Sequence, residues 1–240
     1  MSFCKFLFCS VFLFTLCSKV NAQDSTHIHL PGYDNKKIHV GFILSINFNK
    51  FKVAQSGHKI DSLQSVTSNY VGGISIGGCI TYRIKPRIAL TFSPNLDWAE
   101  HLLDYSLSGN VLNTVVLNIQ STFLHLPLEL QLHTKRFHNK DVYFTGGLDY
   151  TDDLAASQDS NSSNPSTHST HSYYAPVSRN SLNYIIGGGI SFFLRRHKLS
   201  FEIRYSGGLT NLLVPDNTIY TQSLSSLYAN ELFFTVKFGG

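Results

Sequence analysis

Ser121 to His133 read STFLHLPLELQLH, with a leucine at every second position from Leu124 to Leu132 and His125, Pro127, Glu129 and Gln131 between them. A period of two marks a strand whose successive side chains point to opposite faces of a sheet. The period does not say which face is enclosed. In a soluble, ligand-carrying barrel the leucines line the interior and Glu129 meets water. In a membrane barrel the leucines meet lipid and Glu129 points into the lumen.

The same alternation recurs along the chain. Ile38–Phe48 (IHVGFILSINF) sets Val40, Phe42, Leu44 and Ile46 against Gly41, Ile43, Ser45 and Asn47. Tyr70–Arg83 (YVGGISIGGCITYR) and the stretch from Arg87 to Asp97 after Pro86 follow, and the leucine strand is fourth. Val142–Tyr150 (VYFTGGLDY), Leu182–Leu194 (LNYIIGGGISFFL), Leu199–Ser206 and Glu231–Phe238 complete the series, with Ile185, Phe193 and Phe233 as apolar exceptions on the polar phase. Eight is an even number, as a closed up-and-down barrel with both ends on one side requires.

The composition of the two phases favours the membrane reading. Opposite the large aliphatics stand mainly Gly, Ser, Thr, Ala and Asn in the second, third and sixth segments. A water-facing sheet normally carries Lys, Glu and Arg there, whereas small side chains suit the narrow interior of an eight-stranded barrel. Connections alternate in length. Those around Lys85-Pro86, from Lys135 to Lys140 and from Arg195 to Lys198 are short; Asn49–Asn69, Trp98–Gln120, Asp152–Ser181 and Thr210–Ala229 are long. Short periplasmic turns and long extracellular loops are the habit of outer-membrane barrels, and this order places both termini in the periplasm. Tyr70, Tyr82, Tyr150, Tyr184, Tyr205 and Phe238 fall near segment ends, at the expected level of interfacial girdles.

The ends fit that address. Residues 1–22, MSFCKFLFCSVFLFTLCSKVNA, join Lys5, a short apolar run and a small-residue end, the pattern of a signal peptide cut after Ala22. The apolar run is too short for a spanning helix of about 20 residues, and bulky Leu16 before Cys17 argues against lipid attachment at that cysteine. Cleavage leaves Cys79 as the single cysteine, so no internal disulfide is expected. It also reduces the formal net charge from +4 to +2, seventeen basic against fifteen acidic side chains, which gives no case for nucleic acid as a partner. The expected organisation is a signal peptide at 1–22, a periplasmic N-terminal segment at 23–37 and an outer-membrane barrel at 38–240.

Charged residues on the lumen phase are Arg83, Arg87, Glu129, Glu202, Arg204, Glu231 and Lys237. Unpaired buried charges cost several kcal/mol each, so these are expected to pair. Such a network serves either as a proton or ion path or, the reading favoured here, as a salt-bridged plug in a barrel too narrow to conduct. Eleven histidines invite a metal reading. His125 and His133 share a face but stand eight residues apart, more than about 25 Å along a strand. His168 and His171 lack carboxylate or thiol company, and His27 and His29 offer no better set, so no metal or cofactor is expected. His101 with Ser106 is the one Ser/His pair suited to acyl chemistry on lipids, and nothing in the sequence orients the histidine. The glycine runs lie inside strands and are not phosphate loops. No enzyme and no small-molecule substrate is indicated.

VGFILSINFNKFKV, STFLHLPLELQLHTKR, VYFTGGLDYTDDL, IIGGGISFFLRRHKLSFEIRYSGGLTNLLVPDN and NELFFTVKF together resemble the PorT family of outer-membrane barrels, over nearly the whole chain after residue 22. The more specific parts are the leucine strand with Glu129, Gly146-Gly147 and the run from Gly208 to Asn217. The resemblance implies an integral outer-membrane barrel associated with type IX protein secretion, with outer-membrane lipid and other secretion proteins as partners, and carries no catalytic residue with it. The chain departs from many outer-membrane barrels in that Phe238 is followed by Gly239 and Gly240, which displaces the aromatic end signal. The alternatives are a structural or adhesive surface barrel, for which the Asp152–Ser181 stretch is the feature of interest, and a lipid-modifying enzyme.

Overall fold

In the computed structural model, residues 28–55, 63–107, 113–154, 177–214 and 224–239 are described. The side chains of residues 55, 63–65 and 100–120 lie outside that description, as do the signal-peptide segment, His27, His168 and His171. The backbone at His101 and Ser106 is strand, but the proposed pairing of their side chains lies outside the described residues.

Ten strands form one antiparallel sheet: β1 (Ile38–Gln55), β2 (Leu63–Asn69), β3 (Val71–Lys85), β4 (Ile88–Phe92), β5 (Asn95–Leu107), β6 (Asn113–His133), β7 (Lys140–Asp153), β8 (Asn180–Phe193), β9 (Lys198–Gly208) and β10 (Leu224–Gly239). Two of the barrel's staves are broken strands. β2 and β3 are separated at Tyr70, and β4 and β5 at Ser93-Pro94. Proline has no amide hydrogen for the ladder, so an interruption at Pro94 is the expected consequence. Eight staves then close into a ring, because β1 pairs with β10 on one side and β3 on the other.

The closure can be followed residue by residue. Gly72 pairs with Phe48, Phe48 with Leu232, Leu232 with Tyr205, Tyr205 with Ile186, Ile186 with Gly146, Gly146 with Leu130, Leu130 with Leu90 and Leu90 with Tyr82. The path starts on β3 at position 72 and returns to β3 at position 82. A stagger of ten residues over eight strands tilts every strand against the barrel axis and fixes a narrow bore.

Sidedness follows the composition of the two phases. Val40, Phe42, Ile46, Phe144 and Ile186 are each more than half exposed on the outside, whereas Ser45, Asn47, Thr91, Glu129 and Ser191 are 0–2% exposed inside. An exterior this apolar has no aqueous rationale and suits hydrocarbon. No helix among the described residues is long and apolar enough to cross a membrane, which bears only on helical spans.

The strands outrun the expected boundaries at one end. β1 continues to Gln55, β2 occupies part of the expected Asn49–Asn69 loop, and β5 and β6 stay paired from Asn95–His125 to Leu107–Asn113, where a loop was expected from Trp98 to Gln120. Backbone pairing continues past the apolar band because hairpin hydrogen bonds need no lipid. The opposite end keeps the short turns at Pro86, His138 and Arg195–His197.

Candidate functional site

Inside the ring, four charges meet from three different strands, Glu129 on β6, Glu202 and Arg204 on β9 and Lys237 on β10. Arg204 Nη1 donates to Glu129 Oε1 at 2.6 Å, Lys237 Nζ lies 2.7 Å from Glu202 Oε2 and 3.6 Å from Glu129 Oε2. Tyr143 donates to Glu202 at 2.8 Å and Thr145 to Glu129 at 2.9 Å. Two acids and two bases balance, and all four are nearly or fully buried. Interdigitation at this density is possible because glycine faces the large groups across the ladder. Gly147 opposes Glu129, Gly187 opposes Arg204 and Gly189 opposes Glu202. A methyl group on Gly189 would fall 2.6 Å from the Tyr143 hydroxyl, so the tyrosine reaches Glu202 only over a bare backbone.

The seven charges expected from the sequence are therefore distributed among three places. Glu129, Glu202, Arg204 and Lys237 form the central network. Arg83 is buried at the short-turn end, where it pairs at 3.0 Å with Asp34. Arg87 is exposed at the turn before β4 and joins no ion pair among the described residues; side-chain phase places a residue inward only while the strand lasts. Glu231 is buried in a separate cluster with Asp97 and His125.

That second cluster lies beyond Phe233, whose ring has the Arg204 guanidinium 4.7 Å from its centroid and His125 edge-on at 5.7 Å. His125 Nδ1 is 2.7 Å from Asp149 Oδ2, and its Nε2 is 3.6 Å from Asp97 Oδ2. Asn47 donates to the same Asp97 oxygen. Asp97 and Asp149 shared the lumen phase in the sequence but were not foreseen as members of a charge cluster. The signal that pointed to them was parity alone.

At the short-turn end the chain folds under the barrel. A single 3-10 turn at Tyr33–Asn35 places Tyr33 on His39, ring centroids 3.8 Å apart, and edge-on against Phe193 at 5.4 Å. Burial pushes the Tyr33 phenol well above its ordinary range. Arg136 stacks on Phe193 at 3.8 Å and reaches Asp34 at 3.6 Å, so residues 33–36 are held as a stopper. Above it remains a cavity of about 40 Å3, room for a few waters. At the opposite end Phe51, Val66, Leu212, Leu224 and Leu227 form a buried apolar cluster. Stopper, ion network and apolar cluster succeed one another along the bore.

Several solved structures resemble the chain. Neisserial surface protein A (NspA) shares 11% identity over 83% of this chain and 95% of its own, with a TM-score of 0.42. OprG from Pseudomonas aeruginosa shares 13% over 85% and 93%, with a TM-score of 0.43. Ail, the attachment invasion locus protein of Yersinia pestis, solved with the heparin analogue sucrose octasulfate, shares 10% over 85% and 100%, with a TM-score of 0.36. Superpositions this loose add nothing to the geometry already described. Among curated proteins none matches the chain. The family model described as "Outer membrane protein beta-barrel domain" matches residues 21–214, most of the chain, and its match agrees with the closed ring and the apolar exterior. This chain belongs to the outer membrane protein beta-barrel domain family, and it is an integral outer-membrane protein.

Proposed function

We propose that this barrel supports protein export by a type IX secretion pathway through contacts with other secretion proteins, and neither conducts solutes nor catalyses a reaction. The observation that carries the non-conducting part is the balanced network of Arg204, Glu129, Lys237 and Glu202 across the bore, closed below by Tyr33. An enclosed network of this kind leaves the outer rims as the surfaces on which function depends. The export part is supported by the resemblance of five segments, from VGFILSINFNKFKV to NELFFTVKF, to the PorT family. In this reading the short turns and both chain ends face the periplasm and the long hairpins face outward.

Deleting the gene tests the export role. The expected result is that proteins bearing C-terminal sorting domains accumulate in the periplasm, with rescue by the wild-type gene; normal export from the deletion strain contradicts it. A structural or adhesive surface barrel is the second reading, favoured by the β5–β6 hairpin, which stays paired out to Leu107 and Asn113. Shortening that hairpin should then abolish attachment while export continues.

A further inference from the structure

The two buried clusters differ in one respect: the first is electrically balanced and the second is not. Asp97, Asp149 and Glu231 are 0–3% exposed, and His125, at 0%, is the basic group among them. With all three carboxyls ionised, the cluster carries three net negative charges beside a neutral imidazole and two beside an imidazolium. Neighbouring cations are committed elsewhere. Arg204 and Lys237 serve Glu129 and Glu202, while Arg83 and Arg136 serve Asp34 at the short-turn end. Charges of one sign enclosed in low dielectric call for a counter-charge.

The orientation of His125 says what kind. Its Nδ1 is engaged by the Asp149 carboxylate at 2.7 Å, so that nitrogen holds the proton and donates. Nε2 lies 3.6 Å from Asp97 Oδ2, and Asp97 Oδ1, Glu231 Oε2 and His125 Nε2 are all buried without a hydrogen-bond partner. One ligand atom from each of Asp97, His125 and Glu231 lies within 4.8 Å of the others. Two ionised carboxylates and one imidazole enclosed together keep a net negative charge whether or not Nε2 is protonated, and a cation held between them offsets it. A carboxylate that orients a histidine through its far nitrogen is the usual outer support of a metal-bound imidazole, and one nitrogen with two carboxylate oxygens suits a divalent first-row transition ion.

We propose that Asp97, His125 and Glu231 bind one divalent transition-metal ion inside the barrel, with Asp149 as the positioning residue for His125. The ligands come from β5, β6 and β10. β6 and β10 are separated by three strands around the ring in one direction, so the ion ties opposite walls together beneath the long hairpins. The amide oxygens of Asn47 and Asn95 are buried and unpartnered on the same face, and add neutral oxygen to the surroundings. The site is independent of the export reading.

The test uses the full chain, purified in detergent without a polyhistidine tag, stripped with a chelator and re-equilibrated with micromolar Zn2+ or Mn2+. Elemental analysis by mass spectrometry should find about one ion per chain, and the temperature of the heat-modifiable gel shift should rise with the ion present. His125→Gln and Glu231→Gln should abolish binding, and Asp149→Asn should weaken it about 10–100-fold. His133→Gln, which removes a different lumen histidine bonded to a carboxylate, should bind as wild type does. A folded wild-type barrel that takes up neither ion overturns the proposal, as does unchanged binding in the folded Glu231→Gln barrel. Should a substituted chain not assemble, wild-type stoichiometry and the graded loss in Asp149→Asn decide the matter.

Discussion

Replacing Arg204 with methionine removes one charge from a network of four that sums to zero. Arg204 is 1% exposed and its 2.6 Å contact is the shortest that Glu129 makes. After the change, Glu129 and Glu202 share Lys237, which already sits nearer Glu202, at 2.7 Å against 3.6 Å. Removing one partner of a buried pair costs about 3–5 kcal/mol, because the other charge is left uncompensated. The remaining Lys237 contact, together with the Thr145 hydroxyl at 2.9 Å, points to the lower part of that range. Restoring balance with Glu129→Gln in the same chain should recover a large part of the loss, since a neutral pair carries no stranded charge. The assay is equilibrium urea unfolding in lipid vesicles for wild type, each single variant and the double variant, forming a double-mutant cycle. A loss below about 1 kcal/mol for Arg204→Met, or a double variant no more stable than that single one, would refute the view that the lumen is held by charge pairing.

Further outcomes follow from the same geometry. Ile186→Arg places a guanidinium on the lipid face near mid-strand of β8 and should cost about 2–4 kcal/mol in vesicle unfolding, against about 0–1 for Ile38→Arg at the strand foot. Gly147→Ala should prevent assembly into the heat-modifiable form, because its Cβ would lie 2.1 Å from the Leu128 carbonyl oxygen. Gly146→Ala, whose nearest atom is 3.7 Å away, should assemble normally on the same gel. In planar bilayers the wild-type chain should show no conductance steps; steady unitary currents would mean that the stopper and the ion network do not close the bore.

The alternation that reveals the barrel is plain here, because most lumen positions beside a bulky aliphatic neighbour are small or polar, Ile43 being an apolar exception. Val40, Phe42, Leu44 and Ile46 against Gly41, Ser45 and Asn47 leave little doubt which residues share a face, and the leucines around Glu129 take the same phase. The strand ends were less legible. Past Asn49 the outer face gains Lys50 and Lys52, so the apolar period fades while the hydrogen-bonded ladder to Leu224 continues. The clusters lay further out of reach. That Glu231 joins His125 and Asp97, and not Glu129, depends on the ten-residue stagger of the ring, which pairs residues across the bore and leaves no trace in the period of any one strand. Ile185, Phe193 and Phe233 broke the pattern for a reason visible only in three dimensions. They are buried, and Phe193 backs the Tyr33 stopper while Phe233 separates the two charge clusters.

The central claim is that the aliphatic phase looks outward at acyl chains and the small and ionic phase is enclosed. A nitroxide scan along β8, one cysteine at a time from residue 182 to 192 in a Cys79→Ser background reconstituted in lipid vesicles, measures this directly. Labels at 182, 184, 186, 190 and 192 should collide freely with dissolved oxygen and poorly with a water-soluble nickel chelate, while labels at 183, 185 and 191 should be shielded from oxygen. Loss of the two-residue period, or its appearance with the opposite phase, would contradict the account.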